Sequence, residues 1–481
     1  MARWRWAAAF VWLVALGAQI VLTRASTSRI WYEELAESVR NVYWLADRAV
    51  YDGMSSNVGW YGLLLLVYRT SGFSLHAAKI VRLVLAGVSL ACAIDLLVRM
   101  TDGRRAIVPA LAFTLSPMLL YFNTFQTSYG VDLQLAPIVA WFGAAARFDD
   151  SSRDRARHAL IGAIVGIGAL MWPVLLLYVP AFIVYAIARV RASSRPAPVA
   201  AWSIAAAAAL APFAAALVYL RTRGIWLNDA SVHSGVFRGG GGTVVVSASR
   251  AAANARLLVH ELFTGSHSYS SDLVRADFSG VVGIVPFVAV AALVLVVWRS
   301  DRASRVLIAS ALTLLAVNVA AAVLASGVPG LRRDTGCVAA FYVLFAICWR
   351  FVTGPDARFG AWRSIAAAAL ALLVVHHAVV YRANDTAVAD PARAETVAWF
   401  VTEPSPSESL ERWVRAVRLG TVLDCGTLRV AARCRYPEIF AAIAGASEWN
   451  DRENVTVRAS DPSGAIVTLT RQSWPPGAPQ R

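Results

Sequence analysis

The sequence predicts an all-α polytopic membrane protein, and three observations carry the prediction. Apolar residues fill 58% of its 481 positions, gathered into runs long enough to cross about 30 Å of hydrocarbon as helices. Arginines fall in short clusters between those runs. After residue 381 the composition turns polar, with aromatic residues spaced singly. Together these imply about 10–12 membrane helices, a re-entrant pair among them, with interfacial helices in the first outer loop and a small α+β domain at the C-terminus. Residues 1–381 form the transmembrane domain and 382–481 the small extracytoplasmic one.

Charge orients the chain. The formal net charge is +15, from 45 basic and 30 acidic residues. A surplus of that size can mark nucleic-acid binding, but clusters between apolar runs are the distribution that keeps basic loops in the cytoplasm. No nucleic-acid partner is expected. Lysine occurs once, at Lys79, and the arginine bias reads as genomic composition. Cys92, Cys337 and Cys348 lie in apolar runs and read as packing residues. Cys425 and Cys434 lie together in the tail, where a Cys425–Cys434 disulfide is expected if the tail faces an oxidising compartment.

Arg3 and Arg5 hold the N-terminus inside, so a first span over 6–23 exits to the outside, retained rather than cleaved as a signal peptide. Residues 24–78 form the first outer loop. Within it Trp31, Leu35, Val39, Val42 and Ala46 recur at helical spacing, as in a helix lying in the membrane interface. The apolar run from Gly59 to Tyr68 is too short to span and reads as a second interfacial helix, bounded by Ser55-Ser56-Asn57 and Thr70-Ser71-Gly72. Spans follow over 78–98, 106–124 and 129–147; Asp95 in the first of them lies one turn before Arg99 and pairs with it. The stretch 159–188 is apolar but carries arginines on both flanks: Arg153, Arg155 and Arg157 before it, Arg189, Arg191 and Arg195 after. Two half-length helices turning at Trp172-Pro173 keep both clusters inside, since proline favours a break there. Spans over 199–220, 279–298, 306–326, 336–352 and 363–381 complete the body, leaving the loop 221–278 and the tail outside. In the tail, 395–417 is helical in places and 455–470 alternates as strands do.

The chemistry-bearing residues follow from this layout. Trp31-Tyr32-Glu33-Glu34 puts a carboxylate pair just beyond the first span. Carboxylates at a bilayer boundary lose solvation and mark functional sites by default. Tyr51-Asp52-Gly53, Ser55 to Tyr61, Gly72-Phe73-Ser74 and Arg82 follow, then Tyr129-Gly130-Val131-Asp132 at the outer start of the fourth span. Arg332-Arg333, after Pro329-Gly330, runs against the positive-inside bias. Guanidinium groups bind phosphate oxygens in bidentate fashion. A surface helix for the glutamates, a dipole-favoured helix start for Asp132 and a headgroup anchor for the arginines are the structural alternatives. Lys79 and Arg82, one turn apart, are further cationic candidates, with interfacial snorkelling as their alternative.

The order and placement of these motifs over residues 1–190 resemble the GT-C class of polytopic glycosyltransferases, in particular the bacterial protein-mannosyltransferase and aminoarabinose-transferase branch. The resemblance is to the acidic pair of the first outer loop, the small-and-aromatic segment leading to Gly-Phe-Ser and an arginine, the acid opening the fourth span, and the thirty-residue hairpin. It implies a GT-C-like fold and inverting transfer of a sugar from a polyprenyl-phosphate carrier to an acceptor at the extracytoplasmic face. Such a reaction needs a base for the acceptor hydroxyl and cations for the departing phosphate. Glu33 is the candidate base, with Glu34 orienting it or exchanging roles; this chain has Glu where the family often has Asp. Asp132 completes the catalytic set. Arg332, Arg333, Lys79, Arg82 and Tyr129 are the candidate substrate and lipid-phosphate ligands.

No cofactor is required by this reading. Some relatives use a divalent ion, for which His233, His260 and His267 in the loop 221–278 are weak ligands without a tight metal spacing. The Gly239–Gly242 run lacks the Lys-Ser/Thr of a phosphate loop. The expected partners are the lipid-linked sugar donor, membrane lipids and a glycan, lipid or protein acceptor of the cell envelope. The expected location is a bacterial cytoplasmic (inner) membrane, active site outward, facing the periplasm or exterior. Two readings from other classes stand beside it: a transporter or flippase of a lipid-linked substrate, which would need polar residues deep in the spans, and a non-catalytic envelope assembly subunit.

Overall fold

The structure, a computed structural model, describes residues 2–26, 57–71, 75–101, 103–124, 128–147, 149, 151–192, 199–222, 247–263, 280–302, 304–324, 335–354, 360–388, 457–460 and 466–469. The described helices are α1 (Ala2–Ser26), α2 (Val58–Ser71), α3 (Leu75–Thr101), α4 (Ile107–Thr114), α5 (Pro117–Thr124), α6 (Val131–Ala145), α7 (Ser152–Met171), α8 (Val179–Ala192), α9 (Val199–Thr222), α10 (Ala248–Phe263), α11 (Val281–Ser300), α12 (Arg305–Leu324), α13 (Thr335–Val352) and α14 (Gly360–Val388). Short 3-10 turns, Gly103–Ala106 and Pro173–Tyr178, lead into α4 and α8. Among the described residues seven segments are long and apolar enough to cross a membrane: Ala77–Thr101, Pro173–Arg191, Val199–Tyr219, Gly283–Ser300, Arg305–Leu324, Thr335–Val352 and Arg363–Val380. Shorter apolar stretches lie in α1, α2 and α6. The chain is a multi-pass, nearly all-helical membrane protein.

At the centre stands α13. Some 72% of its span is buried, against 6% for Val199–Tyr219 in α9, so α13 is the hub and α9 is the most exposed of these spans among the described residues. What holds α9 is a seam on α7. A Cβ on Gly162 or Gly166 would sit 2.0 Å from the Ala205 carbonyl oxygen or 2.2 Å from that of Ala209. Two glycines four residues apart let the backbones touch, the usual means of joining helices where lipid supplies no hydrophobic drive.

The arginine clusters do more than orient the chain. Arg157 Nη1 donates to the Ala145 carbonyl at 3.1 Å, and Arg189 to those of Ala144 and Ala146 at 3.3 and 3.4 Å. Arg305 Nε donates to Trp298 O at 2.8 Å and Arg363 Nε to Val352 O at 3.0 Å. These guanidiniums satisfy last-turn carbonyls of α6, α11 and α13, which have no partners within their own helices and carry the negative end of the dipole. Asp95 pairs with Arg99 at 2.7 Å as expected, and Trp141 Nε1 adds a hydrogen bond of 2.8 Å to the same oxygen.

The same contacts bear on the expected hairpin. Arg157 near the start of α7 and Arg189 near the end of α8 both reach the C-terminal end of α6. The break between them falls at Trp172-Pro173, where α7 ends in an extended residue (φ −153°, ψ 104°). α7 has 20 residues, its first turns charged, and the arm after the break, Pro173–Arg191, is apolar and long enough to cross a membrane.

Three further differences are local. The expected third span, 106–124, is broken: α4 stops at Thr114 and α5 starts at Pro117, with Ser116 Oγ accepting from the Leu119 amide at 3.2 Å. Proline disfavours helix at the residue before it, and Ser116 caps the restart. The loop 221–278 contains α10, docked by Asn254 Nδ2 on the Val323 carbonyl (3.1 Å) at the end of α12. Helix α14 runs to Val388, past the expected boundary at 381. α2, at 14 residues, is about 21 Å long and too short to span. The 455–470 stretch contains the antiparallel pair β1 (Val457–Ser460) and β2 (Ile466–Leu469), with Val457 opposite Leu469. The rest of the chain after Val388, Cys425 and Cys434 included, lies outside the described residues.

Candidate functional site

At the end of α6 away from the arginines, residues 128–132 turn a tight corner that four elements hold. Asn57, just before α2, donates Nδ2 to Ser128 Oγ at 2.7 Å. From α3, the Arg82 guanidinium donates through Nη2 to the Phe122 carbonyl at 3.0 Å and to that of Tyr129, and lies over the Trp60 ring, 5.2 Å from its centroid. It thereby ties the end of α5 to the start of α6. Gly130 takes a left-handed conformation, φ +71°. Trp172, at the hairpin turn, packs edge-on against Tyr129 with ring centroids 5.1 Å apart.

This corner delivers Asp132 to the first turn of α6, where the helix dipole favours a carboxylate. The side chain is fully buried within the protein. Oδ2 accepts hydrogen bonds from the Tyr178 hydroxyl at 2.8 Å and from the Thr335 hydroxyl. Tyr178 ends the 3-10 turn before α8, and Thr335 opens α13. Three elements separated by 46 and 203 residues therefore meet on one oxygen. Oδ1 has no hydrogen-bond partner among the described residues, and neither has the buried Nε1 of Trp172. A carboxylate with one oxygen unpartnered has the capacity to accept a hydrogen bond from an O–H group or take a proton.

Of the residues singled out from sequence, the structure brings Arg82, Tyr129 and Asp132 together at this corner. Lys79, one turn before Arg82, is buried at 3% exposure and Arg82 at 0%. Both point inward, so interfacial snorkelling is set aside. Arg82 grips two backbone carbonyls and an aromatic ring, the work of a clamp on the corner. Glu33, Glu34, Arg332 and Arg333 lie outside the described residues, as do His233 and His267. His260 is exposed on α10, and the described residues contain no group of three or more His, Cys, Asp or Glu side chains able to hold a metal. The sequence reading missed Tyr178, Thr335, Asn57 and Ser128. For Thr335 a signal existed: a hydroxyl residue at the mouth of a span, two positions after Arg333. For Tyr178, a single tyrosine in an apolar run, there was none.

No protein-family model matches the chain, and no curated protein matches it. Among solved structures it is similar to the crystal structure of ArnT from Cupriavidus metallidurans bound to undecaprenyl phosphate. The TM-score is 0.51 at 13% identity, over 96% of this chain and 93% of that one. At that identity the likeness is one of fold, and it supports the GT-C-like architecture expected from the motif order. The chain is a multi-pass membrane protein that shares its fold with ArnT along nearly the whole of both.

Proposed function

We propose that this protein is a membrane glycosyltransferase that moves a sugar from a polyprenyl-phosphate carrier to an envelope acceptor, with inversion, at the extracytoplasmic face. The observation that carries the reading is the likeness of fold, over 96% of the chain, to a protein solved with undecaprenyl phosphate bound. The arginine-capped helix ends are the cytoplasmic ones on the positive-inside principle, which turns the Asp132 corner outward.

In this reading Glu33 takes the proton of the acceptor hydroxyl, with Glu34 orienting it or exchanging roles. The acceptor oxygen attacks the anomeric carbon from the side opposite the phosphate. The carbon–oxygen bond to phosphate breaks, and its electron pair leaves on polyprenyl phosphate, whose charge Arg332 and Arg333 stabilise. A single displacement inverts the anomeric centre. Lys79 lies near the corner as a further cation, Arg82 holds the corner's backbone, and Asp132 and Tyr129 line the sugar side. A divalent ion on the 221–278 histidines is the alternative source of positive charge.

The test is transfer from a radiolabelled pool of polyprenyl-phosphate sugars by the purified, reconstituted chain and its Glu33→Gln, Glu34→Gln and Asp132→Asn variants, each checked for folding. Removing a general base is expected to cost about 10²–10⁴-fold in rate. Full activity in all three variants refutes the assigned site. A wild type inert across the pool refutes the transferase reading and favours a transporter or an assembly subunit.

A further inference from the structure

Asp132 is built asymmetrically. A carboxylate oxygen has two lone-pair directions, and on Oδ2 the Tyr178 and Thr335 hydroxyls occupy two positions. Oδ1 is buried and, among the described residues, unpartnered. Buried acceptors are almost always satisfied, and an exception calls for an explanation such as a catalytic role.

The two donors are themselves held rigidly. Thr335 is completely buried, and its neighbour Gly336 seats the first turn of α13 hard on α12. A Cβ there would lie 2.2 Å from the Asn318 amide nitrogen. Tyr178 is buried at the foot of α8 with Phe182 alongside, ring centroids 6.4 Å apart. Both donors to Oδ2 thus come from elements fixed by packing. A second buried atom at the corner, Trp172 Nε1, is a donor without a partner among the described residues.

We infer that Tyr178 and Thr335 are positioning residues that occupy one oxygen of Asp132 so that the other, Oδ1, is presented to a hydroxyl of the transferred sugar. The inference rests on the glycosyltransferase reading and deepens it by naming the ligand group at this corner. A carboxylate acceptor repels phosphate and attracts O–H, so the corner belongs to the sugar and not to the lipid phosphate. Tyr129 and Trp172 supply apolar ring surface at the corner.

The experiment compares the full-length, reconstituted wild type with Thr335→Val, which keeps shape and loses the hydroxyl, Thr335→Ser, which restores it, and Tyr178→Phe. Two quantities are read: kcat and KM for the sugar donor, and inhibition by undecaprenyl phosphate, which carries no sugar. Loss of one hydrogen bond to a charged group is expected to lower kcat in Thr335→Val and Tyr178→Phe by about ten- to a hundredfold. Inhibition by undecaprenyl phosphate should stay within about twofold, because binding away from the sugar is untouched. Thr335→Ser should recover most of the rate. Thr335→Val as active as wild type overturns the inference and leaves the transferase reading standing. Activity and undecaprenyl phosphate binding that fall together in every variant also overturn it, since that marks a merely structural role. A wild type that transfers no sugar refutes the transferase reading itself, and this inference with it.

Discussion

Replacing Gly130 by alanine strains the corner that places Asp132 without touching a charged or hydrogen-bonding side chain. Gly130 sits at φ +71°, where an L-residue brings Cβ against the following carbonyl at a cost of about 1–2 kcal/mol. The new methyl would also lie 2.7 Å from Cβ and 3.1 Å from Cγ of Phe122. Phe122 is buried and cannot readily retreat, because its carbonyl is gripped by Arg82. Overpacking of this kind costs about 1–3 kcal/mol. The two costs act at one position and bring the expected loss to roughly 2–5 kcal/mol. Alanine's smaller unfolded-state entropy returns only about 0.4–1 kcal/mol. Gly143, in the same helix, is the control: a Cβ there meets nothing within 4 Å. Gly143→Ala should be neutral or stabilising by about 0.5–1 kcal/mol. The assay is reversible unfolding of the purified protein by titrating SDS into mixed micelles, followed by tryptophan fluorescence. If Gly130→Ala proves as stable as Gly143→Ala, the left-handed turn and its contact with Phe122 do not hold the corner, and the account of how Asp132 is placed fails.

Other perturbations reach other parts of the structure. Arg82→Lys cannot span both carbonyls, so leaving Phe122 O or Tyr129 O unpaired should cost about 1–3 kcal/mol despite the conserved charge; a variant with wild-type stability would show that the clamp is dispensable. Gly162→Leu forces a side chain into the Ala205 carbonyl and should loosen α9, measured as lost disulfide cross-linking between engineered cysteines on facing positions of α7 and α9; undiminished cross-linking would contradict the seam. Asp154 is buried and accepts from the Arg147 and Asp149 amides at 2.9 and 3.1 Å. Asp154→Ala orphans both and is expected to lose about 1–3 kcal/mol in the same unfolding assay, whereas a loss too small to resolve would mean the two amides find other acceptors or water.

Much of the fold was legible because it is local. Hydropathy over a window of membrane thickness located the spans expected at 78–98, 199–220, 279–298, 306–326, 336–352 and 363–381 to within a few residues, since burying a helix in lipid depends on that stretch alone. The break at Trp172-Pro173, the start of α2 after Asn57 and the strand character near Val457 were readable from residues that act on their own backbone. The break at Ser116-Pro117 was equally local and was overlooked because the apolar run continues across it. Arginine placement reports only which side each end of the hairpin lies on, and half-length or full-length arms satisfy it alike.

The candidate site divides in the same way. Its outline came from position: an acid at the mouth of a span, a tyrosine three residues before it, and a cation on an earlier span. Nothing in composition or spacing could show that Asp132 meets Tyr178, or that a threonine 203 residues away shares its oxygen. Nor could it show that Arg82 spends itself on backbone carbonyls. By itself the sequence determined that the chain is a multi-pass helical membrane protein, where its helices lie, and which ends carry basic charge, because transfer of a segment into hydrocarbon is a sum over that segment's own residues. Which side chains face one another, which oxygen of Asp132 is occupied, and how closely α9 may approach α7 were decided only by tertiary packing, because hydrogen bonds and helix seams depend on distances of a few ångströms between residues remote in the chain.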